Sequence, residues 1–422
     1  MPVKSRNAGK GTIALVSLGC AKNAADLEVA AGALLKDGWT LSPDRDAADV
    51  AIVNTCAFIA AAREEAEREI ARALELKRRG QYGKVVVSGC YPQRYPRAAD
   101  KFPGVDSWRG VPRLWEEPAM PALRFTGKAF AYLKIAEGCN RACSYCAIPQ
   151  IRGRFRSRPA DSVLREAKAL VESGCREINI VAQDPMSYGG DLKPRTSLAA
   201  LLGAIDAIPG KFWVRVLYSR PEAIDGDFVA WLNDSPHAVK YIDMPVQHTV
   251  PEILCAMNRR SAVEATLLLP DLLREAVPGL TLRTTVMTGF PGETERRFAM
   301  LLSDLKRMQF DRVGVFAYSP EKGTRAARLG GRPPAKTAAE RKTAVEALAA
   351  AIWRNKAKLL KGKRFDALVV APGVARTAAQ APDVDGVTWL LDSPKARRAK
   401  TGDFVKVEIS AVRGCDFDAE VV

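Results

Sequence analysis

The chain has 422 residues, 47% of them hydrophobic and 27% charged, which is enough for roughly two to four globular domains. No apolar run approaches the ~20 residues of a transmembrane helix, and no apolar stretch follows the first residues as it would in a signal peptide. We therefore exclude an integral membrane protein and expect a cytoplasmic location. There, the nine cysteines would be metal ligands or buried thiols rather than disulfides.

The net charge of +16 predicts attraction to a polyanion such as RNA or a ribosome. The excess is local, because the segment 323–365 contains twelve Lys or Arg and only two acids, Glu340 and Glu346. A solvated basic surface is the simpler alternative. So local an excess favours a region that faces nucleic acid.

A first domain is predicted over residues 10–120, where apolar runs alternate with helical stretches at 24–36 and 61–79. Each run leads directly to a cysteine: 13–19 to Cys20, 50–55 to Cys56 and 85–89 to Cys90. Strands that alternate with helices imply a parallel sheet, whose carboxyl strand ends lie at one edge. The three cysteines should meet there as one site. Three unrelated core cysteines are the alternative, which the threefold repeat makes weaker.

A linker is predicted at Pro118–Gly127, followed by a central domain at 125–355. This domain has helical segments between six strand candidates, at 131–135, 177–182, 212–217, 239–244, 282–287 and 312–316. Six strand–helix units are too few for a closed eight-stranded barrel. The active site is expected at the carboxyl ends of the strands.

Three cysteines, Cys139, Cys143 and Cys146, follow the first of these strands on a predicted loop. A [4Fe–4S] cluster usually has four Cys ligands, so three would leave one iron open to a substrate. A structural zinc site would need a fourth nearby ligand, and chance is the other alternative. The spacing resembles the signature of the radical S-adenosylmethionine (SAM) superfamily. That resemblance implies an open, partial (β/α)6 barrel.

Two further features of the central domain suggest binding. Arg152, Arg154, Arg156 and Arg158 occur at every second position, so an extended segment would place them on one face, lining a path for an anion. A solvated basic strand is the alternative. The turn 288–294 contains glycines and a Thr-Glu pair suited to bringing SAM near the backbone and to capping a helix.

The tail, residues 360–422, follows a predicted basic helix at 335–361. Short β-like runs at 367–370, 388–391 and 404–409 predict a small β-barrel, of a type that often contacts RNA. The remaining cysteines have no partners at ligand spacing and are interpreted as structural: Cys175, Cys255 and Cys415.

Nearly the whole chain resembles the methylthiotransferases. The motifs that carry the resemblance are Ser17–Asn23, Asn54–Ile59 and Ser88–Cys90, with Pro382–Gly386 and Gly402–Val405 resembling a TRAM domain. The resemblance implies two [4Fe–4S] clusters, an auxiliary one on Cys20, Cys56 and Cys90 and a SAM-binding one on Cys139, Cys143 and Cys146. It also implies that Tyr145 lies near the adenine of SAM, with a buried packing role as the alternative, and it assigns no catalytic residue beyond the clusters. Thr288 and Gly289, in the turn 288–294, are the other expected SAM contacts.

Strand-end motifs are similar to those of the subfamily that modifies a ribosomal protein: Gln183-Asp184, Tyr188-Gly189, Tyr241–Pro245, Gln247-His248 and Val315–Ser319. That similarity implies methylthiolation of the β-carbon of an aspartate in small-subunit ribosomal protein twelve by a 5′-deoxyadenosyl radical, with sulfur delivered at the second cluster. The implied partners are this protein or the ribosome, an electron donor, and RNA contacted through 323–365 and the tail. The chain departs from the family at Pro185, usually Thr, and at Arg220, usually aromatic.

Two other functions stay open. A tRNA adenosine methylthiotransferase would suit the basic segment and the tail, but Asp184 and His248 argue against it. A non-catalytic iron–sulfur electron carrier or RNA-binding scaffold would normally complete each cluster with four cysteines, whereas both sites here stop at three.

Overall fold

The computed structural model describes residues 10–111, 124, 127 and 129–422, so most of the predicted linker lies outside the described residues. The chain forms two compact units. The first takes the described residues up to 124 together with 137–140 and 147–154, and the second takes the rest. The limits of three domains at 10–120, 125–355 and 360–422 stay a prediction.

The first unit is built on a parallel five-stranded sheet with the order β2-β1-β3-β4-β5, which confirms the predicted sheet. Its elements are β1 (Gly11–Ser17), α1 (Ala21–Lys36), β2 (Trp39–Leu41), β3 (Ala48–Thr55), α2 (Ala60–Arg78), β4 (Tyr82–Gly89), α3 (Cys90–Arg94) and β5 (Ser107–Trp108). Helix α2 buries Ala66, Ile70 and Ala73, whose spacing places them on one helical face.

The elements from residue 130 to 317 follow in chain order. They are β6 (Phe130–Lys134), β7 (Ala136–Glu137), α4 (Ile148–Arg152), β8 (Arg156–Ser157), α5 (Ala160–Glu172), β9 (Glu177–Val181), α6 (Leu198–Asp206), β10 (Trp213–Val216), α7 (Gly226–Asp234), β11 (Tyr241–Asp243), α8 (Pro251–Ala256), α9 (Val263–Ala276), β12 (Thr281–Thr288), α10 (Glu295–Met308) and β13 (Arg312–Ala317).

Six of these strands form a parallel series that matches the predicted open, partial barrel. Strands β6, β9 and β10 make one sheet and β11, β12 and β13 another, and a parallel bridge between Val214 and Ala238 links the two. Within residues 129–422, β6 and β13 do not pair with each other, so the series stays open. Every residue of β9 is buried, as expected for a strand covered on both faces.

The carboxyl-terminal part of the second unit is a closed barrel with the order β14-β15-β16-β18-β17. Its elements, and the helix before it, are α11 (Ala335–Ala357), β14 (Arg364–Ala371), β15 (Val374–Thr377), β16 (Thr388–Leu390), α12 (Pro394–Arg398), β17 (Phe404–Arg413) and β18 (Asp416–Val421). The barrel was predicted, but β15 and β18 were not. None of the helices in the described part of the chain combines the length and the apolar character needed to cross a lipid bilayer.

The expected basic face after the cysteine triplet is wrong. Arg152 ends helix α4 and is buried, so it is not part of an extended strand. Arg158 is also buried, and its guanidinium donates to Glu166 at 2.7 Å. Only Arg154 and Arg156 are exposed, because the other two guanidinium groups are held by carboxylates inside the protein.

Candidate functional site

The first cluster of thiols lies at the carboxyl edge of the first-unit sheet. Cys20, Cys56 and Cys90 follow β1, β3 and β4, and they are close enough for each to influence the pKa of another. Gly19 adopts φ +97°, and a Cβ there would lie 2.7 Å from the Cβ of Cys56. A glycine is therefore needed for these two turns to approach each other. The structure brings the three predicted ligands together.

The three thiols have different electrostatic surroundings. Burial, with Cys90 and Cys20 nearby, raises the pKa of Cys56 to about 12. Burial also raises the pKa of Cys90, against the opposing effect of Arg152. For Cys20, partial desolvation alone would raise the pKa, but Lys22, the N–H of Asn23 and Arg152 outweigh it and the pKa is lowered.

A buried guanidinium lies against this site, and the sequence did not reveal it. Nη2 of Arg152 is 3.2 Å from Sγ of Cys90 and also donates to the side chain of Asn23. Nη1 of Arg152 donates to Asp26 at 2.5 Å and lies 3.3 Å from Glu137. No spacing rule connects residue 152 with residues 23, 26 and 90, so only the fold could show this contact.

The donor set at this edge suits a cluster of several irons. Cysteine thiolates are the usual ligands of iron–sulfur clusters, and this edge presents three of them, Cys20, Cys56 and Cys90. The guanidinium beside Cys90 would also favour an anionic metal–thiolate group.

The second set of cysteines spans both compact units, and each residue is described within its own unit. In the first unit, the N–H of Cys139 donates to the carbonyl of Gly153 at 3.2 Å. A Cβ on Gly138 would lie 2.2 Å from the carbonyl oxygen of Arg154. In the second, the N–H of Cys146 donates to the carbonyl of Cys143 at 3.1 Å. The backbone of Cys139 is therefore held by a segment further along the chain, and Cys143–Cys146 form a tight turn.

Segments far away in sequence hold the loop that carries Cys143 and Cys146. The N–H of Ser144 donates to the carbonyl of Met257 at 2.9 Å. The carbonyl of Ala142 accepts from the side chains of Asn258 at 2.9 Å and Arg325 at 2.7 Å. The loop is therefore anchored on two sides, by residues that sequence reasoning did not single out.

Tyr145 is desolvated among charged groups. Burial, followed by the effect of Cys143, raises the pKa of its phenol. Arg259, which is also buried, interacts with Tyr145, donates to the carbonyl of Pro245 at 2.8 Å and lies 3.5 Å from Glu222. The tyrosine is thus a neutral, fixed side chain next to a candidate cluster ligand.

Thr288 and Gly289 lie where β12 ends. The hydroxyl of Thr288 donates to the carbonyl of Ala338 at 3.0 Å, and the N–H of Gly289 donates to Glu293 at 2.6 Å. Glu293 is buried and also accepts from Arg341 at 2.9 Å. Gly289 has φ +74°, and a Cβ there would lie 2.3 Å from the Cβ of Ala338. The turn is therefore packed directly on helix α11.

The departure at Arg220 has a structural explanation. Its Nε donates to Asp184 at 2.8 Å and its Nη1 donates to Glu222 at 2.9 Å. Arg141 lies 3.7 Å from the same Asp184. Arg220 therefore belongs to a chain of ion pairs at the strand ends. An aromatic residue at this position would remove the cation that pairs with two carboxylates, which are partly or fully buried.

Three family models match successive parts of the chain. They are Uncharacterized protein family UPF0004 over residues 12–110, the Radical SAM superfamily over 133–305 and the TRAM domain over 362–422. Together with the fold, they define an iron–sulfur enzyme that uses SAM. The radical SAM methyltransferase TsrM from Kitasatospora setae shares the fold, with a TM-score of 0.54 and 16% identity over 72% of each chain.

Full-length relatives narrow this class. The chain is 38% identical to "Ribosomal protein uS12 methylthiotransferase RimO" of Geobacter sulfurreducens, over 98% of this chain and 99% of the relative. The proteins of the same name from Elusimicrobium minutum and Myxococcus xanthus are 37% and 38% identical, over 96% and 97% of this chain and 99% and 91% of theirs. The chain belongs to the RimO family of radical SAM methylthiotransferases. The tRNA alternative is not favoured.

Proposed function

We propose that this enzyme adds a methylthio group to the β-carbon of an aspartate in ribosomal protein uS12. The observation that carries the proposal is the identity of 38% with the Geobacter sulfurreducens relative, which extends over 98% of this chain. The first-unit thiols support it, because sulfur insertion needs a site beyond the one that cleaves SAM.

Two [4Fe–4S] clusters belong to the proposal. Cys139, Cys143 and Cys146 would hold one, and Cys20, Cys56 and Cys90 the other. When bound, the clusters and SAM supply the 5′-deoxyadenosyl radical that removes hydrogen and the sulfur that replaces it. The protein anchors the loop that carries Cys143 and Cys146 through the contacts of Ser144 and Ala142.

The SAM contacts are proposed at Tyr145, Thr288 and Gly289. The Thr288 hydroxyl and the Gly289 N–H already have partners inside the protein. Those two residues would therefore meet SAM through van der Waals contact, which a side chain on Gly289 would disturb. Tyr145 would present its ring, since its phenol is engaged with Arg259.

We propose three domains, at 10–120, 125–355 and 360–422, acting in the cytoplasm on uS12 or on the ribosome, with electrons from a separate donor. RNA would be contacted through 323–365 and the TRAM-like tail. The exposure of Lys358, Lys361 and Lys363, together with the match to a TRAM domain, supports that contact. Arg341 and Lys356 would not take part, because both are paired within the protein.

The experiment is an anaerobic reaction of the reconstituted enzyme with SAM and a reductant, offered free uS12, intact small subunits or total tRNA. We expect deoxyadenosine and, on one aspartate of uS12, the mass gain of exchanging hydrogen for SCH3. Modified adenosine in tRNA without modified uS12 would contradict the proposed substrate. Absence of deoxyadenosine would indicate a carrier rather than an enzyme.

A further inference from the structure

Arg152 follows Cys139, Cys143 and Cys146 in sequence. In the structure, however, it lies with Cys20, Cys56 and Cys90. It belongs to the first compact unit, as do Asn23, Asp26, Cys90 and Glu137. Its two terminal nitrogens contact different groups. Nη1 contacts the carboxylates of Asp26 and Glu137, whereas Nη2 contacts Sγ of Cys90 and the Asn23 amide.

Burying these charged side chains costs free energy unless their charges are compensated inside the protein. The Arg152 side chain is 2% exposed, and those of Asp26 and Glu137 are 7% and 9% exposed. One cation therefore faces two carboxylates, which leaves one formal negative charge beside a thiol before any cluster is present. A buried cation so close to a sulfur stabilises the ionised form of that sulfur, because interactions between charges are little screened inside a protein.

Asn23 extends the contact to the other two strands. Its amide nitrogen donates to the carbonyls of Leu18 at 3.1 Å and Thr55 at 3.0 Å, each one or two residues from a candidate ligand. Its amide oxygen accepts from Arg152. The Arg152 guanidinium therefore fixes the Asn23 amide, which spans the ends of β1 and β3. It also contacts Cys90, the candidate ligand that follows β4.

We propose that Arg152 is a positioning residue for the auxiliary cluster, holding Cys90 and Asn23 and offsetting the negative charge of the bound cluster. The inference rests on the proposed function, in which Cys20, Cys56 and Cys90 carry that cluster. An N–H donor and a positive charge at a ligand sulfur stabilise the reduced, more negative state of an iron–sulfur cluster. Arg152 therefore raises the reduction potential of this cluster.

The test uses the full chain with Cys139, Cys143 and Cys146 replaced by Ala, so that the auxiliary cluster is the one expected to remain. Four variants are compared in this background: R152K, R152Q, the pair D26N/R152Q and the control R154Q. The pair D26N/R152Q matters most, because it restores the local formal charge of −1 while still removing the cation. Iron per chain, the EPR spectrum of the reduced cluster and its reduction potential are measured.

We expect R152Q and D26N/R152Q to shift the potential to more negative values and to lower the iron bound per chain. R152K should fall between them and the parent, because it keeps the charge and loses the planar fork. R154Q should match the parent, since Arg154 is exposed.

Two results would overturn the inference separately from the proposed function. If D26N/R152Q has the potential, spectrum and iron content of the parent, Arg152 merely neutralises Asp26, and the auxiliary cluster stands without it. If the parent background itself binds no cluster, the assignment of Cys20, Cys56 and Cys90 fails, and the role of Arg152 fails with it. Circular dichroism of each variant distinguishes a lost fold from a changed cluster.

Discussion

Nη2 of Arg376 lies 2.5 Å from Oε2 of Glu177, although the two residues are 199 positions apart. Arg215 donates to the other carboxylate oxygen at 2.9 Å, and Glu177 is fully buried. This carboxylate therefore joins β9 and β10 of the open barrel to β15 of the carboxyl-terminal barrel. Two guanidinium groups depend on a single negative charge inside the protein.

Replacing Glu177 by Gln should destabilise the fold strongly, because it keeps the shape and removes the charge that compensates both guanidinium groups. We expect a loss of about 3–5 kcal/mol, the range for breaking a buried ion pair. Urea unfolding of the cluster-free, reduced chain measures it. Glu408→Gln is the matched control, since the Glu408–Arg364 pair is exposed and should contribute less than ~1 kcal/mol. Equal effects of the two substitutions would contradict the role of Glu177.

The same residue predicts how stability depends on pH. Burial alone would raise the pKa of Glu177, but Arg376 and Arg215 outweigh it and the pKa is lowered. A carboxyl group with a lower pKa in the folded state contributes stability that is complete above its unfolded pKa of ~4.3 and is lost as the pH falls through the folded pKa. The stability difference between the parent and Glu177→Gln should thus be constant from pH 7 to 5 and shrink below ~4. A difference that persists unchanged in acid would refute this.

The local pattern of apolar and polar residues was sufficient to predict the parallel sheet, the open barrel and the carboxyl-terminal β-barrel. The runs before Cys20, Cys56 and Cys90 are strands whose ends meet because parallel strands share an edge. Most of the missed strands are short: β2 has three residues, β5 has two and β15 has four, although β18 has six. Periodicity over so few residues carries little signal.

Contacts between distant residues could not be predicted. Alternation of Arg152–Arg158 suggested an extended basic face, yet Arg152 ends a helix and is held by Asp26, 126 positions earlier. Arg220 was noticed as a departure, but its partner Asp184 became evident only when the strand ends came together. Buried charges are placed by partners that only the folded chain provides, whereas apolar periodicity is a local property.

The two cysteine sets should separate two activities. Cys→Ala at Cys139, Cys143 or Cys146 should abolish SAM cleavage, because each is expected to hold one iron of the SAM cluster. Cys→Ala at Cys20, Cys56 or Cys90 should preserve cleavage and stop methylthiolation. Deoxyadenosine and modified uS12 are quantified in parallel by mass spectrometry. Undiminished methylthiolated product from the variants at Cys20, Cys56 or Cys90 would rule out the two-cluster scheme, and the exposed Cys255→Ala control should change neither activity.

Gly289→Ala should disturb the end of β12. The residue has φ +74°, and the added methyl group would lie 2.3 Å from the Cβ of Ala338, so helix α11 must move. We expect a loss of about 1–3 kcal/mol, as for other overpacked sites, and weaker SAM binding. Thermal unfolding measures the first and equilibrium dialysis the second. Gly203→Ala is the control: Gly203 is in α6 with open space around it, so this change should stabilise the chain by up to ~1 kcal/mol.

The thiols at the first-unit edge should differ sharply in reactivity when no iron is present. Because the thiolate is the nucleophile, the lowered pKa of Cys20 raises the reactivity of this thiol, whereas Cys56, with a pKa of about 12, stays protonated. At pH 8 iodoacetamide should label Cys20 at least ~100-fold faster than Cys56, as followed by peptide mass mapping. Lys22→Met should slow the labelling of Cys20 and move its inflection to higher pH, since Lys22 is the main group that lowers the pKa of this thiol. Lys36→Met, at the other end of the same helix, should leave the rate unchanged. Labelling of Cys20 that is indifferent to Lys22 would show that exposure, not charge, makes this thiol reactive.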